Sequence, residues 1–119
     1  MADAVRLRVS GTPEQARGVL EQVLTGQGFR FDWQNEGRAV VEKGSRGKAM
    51  FLGALAIHYK YVAELAPQPD GSVDVALTLA TSGVSGGAVG YAKVRSMLDE
   101  LKGHLAQAYQ QSGSLLQAT

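Results

Sequence analysis

Apolar and polar residues alternate over positions 5–9, where Val5, Leu7 and Val9 are separated by Arg6 and Arg8. A period of two sends successive side chains to opposite faces of an extended chain. The stretch therefore predicts a half-buried strand with its arginines in water. Beyond Gly11 the period changes. Ala16, Val19, Leu20, Val23 and Leu24 recur at steps of three and four, which makes one apolar stripe on a helix. Thr12 is a capping hydroxyl, Pro13 suits the first helical position, and Gln15 stands where it closes a capping box. Gly26 or Gly28 offers the left-handed residue that ends the helix.

The period then returns to two. Phe29, Phe31 and Trp33 share one face of a strand, and this aromatic face is expected at the centre of the core. Asn35-Glu36-Gly37 turns the chain into a return strand over 38–43. A basic loop, 44–48, leads to the apolar run 49–57, which reads as a short helix or a bent approach to the next strand. Tyr59, Tyr61, Ala63 and Leu65 then fall on one face of a strand, opposite His58, Lys60, Val62 and Glu64. The turn signal Pro67-Gln68-Pro69-Asp70-Gly71 joins it to a clean alternation over 72–81, with Val73, Val75, Leu77 and Leu79 inward. Four glycines within residues 81–90 precede the last helical stripe: Tyr91, Val94, Leu98, Leu101, Leu105 and Ala108. That helix runs to about Gln111 and ends at Gly113.

The order β-α-β-β-β-β-α predicts a two-layer α+β domain over residues 1–113. An antiparallel sheet of about five strands packs against a short helix and a long C-terminal helix, and 114–119 form a flexible tail. This order of elements resembles the TBP-like or helix-grip topology of Bet v1 and START-like proteins, in which a curved sheet grips a long C-terminal helix. The chain is shorter than those domains and has fewer strands. The resemblance implies a ligand site between sheet and helix, and fold by itself does not fix function.

Composition narrows the classes. The chain has 119 residues, a net charge of +1 and no cysteine. That balance lacks the basic surface of a nucleic-acid binder, and the missing thiols exclude disulfides and thiolate metal sites. Residues 1–6 carry no signal pattern and the run 49–57 is far too short to span a bilayer, so a soluble cytoplasmic domain is expected and membrane contact is not. His58 and His104 have no spacing that suits a metal, and no nucleophile motif is present, so neither enzyme activity nor a cofactor is expected.

Two candidate sites remain. Phe31, Trp33, Tyr59, Tyr61 and Tyr91 would line an apolar pocket between the sheet and the last helix, with tyrosine hydroxyls to orient a ligand. The same residues would also simply fill the core. Ser85, Gly86, Gly87 and Lys93 would form an anion site where the glycine-rich loop starts the helix, because amides there carry partial positive charge. The simpler reading is that those glycines let the helix start close against the sheet. Lys43, Arg46 and Lys48 read as a solvated turn. A non-enzymatic domain that binds an apolar or amphipathic small molecule is the leading expectation. The alternative is a structural or interaction module that forms a homodimer through a sheet edge or the 49–57 run, and peripheral membrane association is a weaker third option.

Overall fold

The computed structural model describes residues 4–44, 59–79 and 87–118, with side chains in the last stretch from residue 92 onward. The elements are β1 (Ala4–Ser10), α1 (Pro13–Gly26), β2 (Arg30–Asn35), β3 (Arg38–Lys43), β4 (Tyr59–Pro67), β5 (Ser72–Leu79), α2 (Gly87–Gln111) and β6 (Leu115–Ala118). The strands form a six-stranded sheet in the order β2-β3-β4-β5-β1-β6. Every neighbouring pair is antiparallel. This is the α+β class read from the sequence, compatible with a helix-grip-like arrangement. The run 49–57, His58, Arg46, Lys48, Ser85 and Gly86 lie outside the described residues.

The alternation sorts the two faces. Val5, Leu7 and Val9 of β1, Tyr61, Ala63 and Leu65 of β4, and Val73, Val75 and Leu77 of β5 are buried on the inner face. Leu20 and Leu24 of α1 and Leu98, Leu101 and Leu105 of α2 close over them, all fully buried. Each such side chain stabilises the fold by about 1.5–3 kcal/mol relative to exposure. The outer face is polar, with exposed ion pairs such as Arg8 to Asp74 at 2.9 Å. Pairs of this kind contribute well under about 1 kcal/mol each.

The local signals act as their chemistry dictates. The Thr12 hydroxyl accepts from the Gln15 N–H at 3.2 Å, and the Gln15 side chain accepts from the Thr12 N–H at 3.0 Å. Gly28, with φ of 91°, supplies the left-handed residue after α1. At the β4–β5 turn the Asp70 carboxylate accepts from the Ser72 N–H at 2.9 Å and from its hydroxyl at 2.6 Å. These Ser72 hydrogen bonds hold the Asp70 carboxyl below its ordinary range.

Three expectations need correction. The residues expected as a flexible tail instead add a sixth strand: β6 pairs with β1 through Leu7–Ala118, Arg8–Gln117 and Val9–Leu115, with a bulge between Arg8 and Val9. The aromatic strand is not the centre of the core. β2 is the sheet's edge, so Phe31 and Trp33 are only half-buried, while Phe29 just before it is buried. The last helix also begins earlier, at Gly87, so two of the loop glycines, Gly87 and Gly90, are its first-turn residues.

One close approach fixes the β2–β3 turn. The Leu65 N–H donates to the Gly37 carbonyl at 2.8 Å, and a Cβ on Gly37 would stand 2.9 Å from the Leu65 carbonyl oxygen. Backbone cannot yield as a flexible side chain does. Gly37→Ala is therefore expected to cost about 1–3 kcal/mol as the hairpin is pushed off β4, read as a lowered urea midpoint. An unchanged midpoint would show that the turn is free to move.

Candidate functional site

Of the five aromatic residues expected to line one pocket, the structure brings no more than part together. Phe31 and Trp33 stack on each other at the β2 edge, with ring centroids 5.6 Å apart. The Arg17 guanidinium covers Trp33 at 4.0 Å from the ring and is paired with Glu21 at 2.8 Å. Val41 stands in the row between Phe31 and Tyr61, so the edge pair is separated from β4 by two strand spacings, about 9.6 Å. These two aromatics close the edge of the core under α1.

Tyr61 is fully buried, and its hydroxyl donates to the Val94 carbonyl of α2 at 2.7 Å. Burial pushes its pKa far above the ordinary tyrosine value, with smaller contributions from Tyr59 and Glu100. The hydroxyl expected to orient a ligand thus ties the sheet to the helix. Tyr91 lies in α2, and its side chain is outside the described residues. Tyr61 belongs with Leu77, Leu98 and Leu101 to one buried core cluster between sheet and helix.

Tyr59 is placed differently. It is the first residue of β4, opposite Lys43 of β3, and is half-buried with its ring 6.5 Å from that of Phe29. Across from it, α2 presents Lys93, Ser96, Met97 and Glu100, and together these five residues line an open depression of about 340 Å3. The steps of three and four put the α2 residues on one helical face, with Lys93 and Glu100 about 10.5 Å apart along the axis. Partial burial, then the negative charge of Glu100, raises the Tyr59 pKa and keeps its hydroxyl a donor. The depression offers an apolar floor from Tyr59 and Met97, a cation at one end and an anion at the other. It lies at the end of the sheet where β3 and β5 finish and β4 and α2 begin.

Of the residues expected to form the anion site, Ser85 and Gly86 lie outside the described residues. Gly87 opens α2 while Lys93, exposed, stands six residues on, about 9 Å along the axis, and joins the Tyr59 depression instead. Sequence reasoning missed Ser96, Met97 and Glu100. Their signal was present: Met97 sits beside the apolar stripe of α2, flanked at helical spacing by Lys93 and Glu100.

His104 is exposed on α2, and among the described residues no group of three or more His, Cys, Asp or Glu could hold a metal ion. No described helix is long and apolar enough to cross a membrane. No protein-family model and no curated protein matches this chain, so its functional reading rests on geometry.

Proposed function

We propose that the protein is a non-enzymatic domain that binds an amphipathic small molecule at the Tyr59 end of the sheet–helix interface. The supporting observation is the depression itself: an aromatic ring and a thioether form its floor, between Lys93 and Glu100. Apolar surface with a few convergent polar groups is the usual character of small-molecule sites. The buried core around Tyr61 argues against deep engulfment and for a ligand held at the mouth. A dansyl-labelled fatty acid is the direct probe, followed by fluorescence on titration. Tyr59→Ser and Met97→Ser each remove part of the apolar floor and are expected to weaken binding about tenfold, or ~1.4 kcal/mol. A wild-type chain that gives no saturable signal, or variants that bind as tightly, would refute the proposal.

A second reading, a homodimer joined through a sheet edge, is favoured by β6. This strand carries no charged residue, and Leu116 on it is 58% exposed. The opposite edge, β2, carries Arg30 and Asp32, which oppose pairing with another chain. Light scattering that returns the mass of a single chain at micromolar concentration would remove this second reading.

A further inference from the structure

Lys93 and Glu100 stand seven residues apart on α2, nearly two full turns. They therefore lie almost on one line along the helix, about 10.5 Å apart, with Ser96 and Met97 between them. Both side chains are exposed, and among the described residues neither has a side-chain hydrogen bond or an ion pair. After burial, the Glu100 charge is what raises the Tyr59 pKa, so the carboxylate acts across the depression and not only toward solvent. The floor between the two charges is the half-buried Tyr59 ring and the half-buried Met97 thioether.

Charges in other depressions are arranged differently. The depression at β1 and β5 contains the Arg8–Asp74 pair at 2.9 Å, and that at β2 and β3 the Arg30–Glu42 pair at 3.8 Å. Beside Pro13, Arg17 is paired with Glu21, which leaves Glu14 and Glu36, two carboxylates of one sign. At Tyr59 the two charges are opposite, and an apolar floor separates them. A purely anionic amphiphile would meet Lys93 but lay its other end against the Glu100 carboxylate, removing water from that charge without replacing it. A cationic one would do the same to Lys93. A molecule with one charge of each sign, at opposite ends, satisfies both. An extended tripeptide with free termini spans about 10 Å, which matches the separation of the two residues along the helix.

Given the Tyr59 depression as the binding site, we infer that its ligand is a zwitterion of about tripeptide length, with its carboxylate at Lys93, its ammonium at Glu100 and an apolar middle over Tyr59 and Met97. The test is an NMR titration of the intact 15N-labelled chain with Ala-Leu-Ala and with 8-aminooctanoate, which share these ends and differ in the middle. At least one of the two is expected to give saturable shifts at the amides of Tyr59, Ser96, Met97 and Glu100. N-acetylated and C-amidated Ala-Leu-Ala, octanoate and octylamine each lack one charge and should bind about tenfold more weakly than the matching zwitterion. Lys93→Glu and Glu100→Lys should each weaken the zwitterion by about tenfold. Both positions are exposed, so the fold tolerates the change. The double reversal, Lys93→Glu with Glu100→Lys, should restore the parent affinity, because the ligand can turn end for end. A merely structural role for either residue would not produce that rescue. Singly charged probes that bind as tightly as the zwitterions, or a double reversal that stays as weak as the single variants, would overturn the inference and leave the Tyr59 depression as a site for an amphipathic molecule. Absence of saturable shifts with every probe, the dansyl-labelled fatty acid included, would overturn both.

Discussion

Tyr109→Ala is expected to lower the unfolding free energy by about 3–5 kcal/mol, and Tyr109→Phe by about 1 kcal/mol, in urea titrations followed by circular dichroism. The ring, 1% exposed, fills the junction of α1 and α2, and its hydroxyl reaches the Ala16 carbonyl at 2.7 Å. Removing the ring leaves a cavity that two helices can close only in part. Removing the hydroxyl alone leaves Ala16 with its own intrahelical partner, so the smaller loss follows. A domain of this size has about 6–18 kcal/mol of total stability, and the alanine variant consumes a large share of it. The same residue sets a pH dependence. Burial raises the pKa of Tyr109, and of Tyr61, far above the ordinary value of 10.0. A raised folded-state pKa means that stability is intact below about pH 10 and falls above it, where the unfolded chain ionises and the buried hydroxyls do not. Each pH unit above 10 removes up to about 1.4 kcal/mol per tyrosine, and Tyr109→Phe should flatten that slope. Equal losses for the alanine and phenylalanine variants would show that the hydroxyl, and not the packed ring, holds the helices.

Much of the fold was legible because single residues carried a unique physical meaning. Thr12, Pro13 and Gln15 could only start a helix, and they do so with both bonds of the capping box. Asp70 and Gly71 could only turn the chain, and Gly71 adopts φ of 87°. Alternation, however, reports which way a side chain faces and not how far its strand lies from the sheet's edge. For that reason Phe31 and Trp33 looked central and are peripheral. Helical spacing has a similar blind spot. Three and four residues beyond Leu105 stand Ala108 and Tyr109, and both steps are allowed; the fold buries the tyrosine because its hydroxyl has a carbonyl to meet on α1.

The candidate site was less legible than the fold. Tyr59 and Lys93 were each singled out, but for different sites, because nothing in a linear pattern says that the first residue of β4 faces the second turn of α2. Tyr61 shows the converse. Two positions along the same strand face, it looked equivalent to Tyr59, yet the helix passes close enough to accept its proton at 2.7 Å. Tertiary distance separates a structural tyrosine from one open to a ligand.

Deleting residues 114–119 is expected to cost about 2–4 kcal/mol, from ladder hydrogen bonds worth about 1 kcal/mol each and a half-buried leucine worth about another. The sequence offered little sign of this, since Leu115-Leu116-Gln117-Ala118 does not alternate. The bulge explains why: Leu115 packs against the core beside Val9 while Leu116 is left exposed. The Ser114 carbonyl also accepts from the Ser10 N–H at 2.8 Å, so the segment anchors the end of β1 that leads into α1. Without it β1 becomes a bare edge carrying the fully buried Val9, and unpaired edges recruit other chains. The shortened protein should therefore show a lower urea midpoint, faster amide exchange in β1, and association in sedimentation velocity that grows with concentration. Leu116→Lys separates the two roles of the strand. It keeps the ladder and should stay within about 0.5 kcal/mol of the parent, while placing on β6 the charge that discourages edge pairing. If the deletion leaves stability and β1 exchange unchanged, β6 contributes nothing to the sheet and its first neighbour is already protected without it.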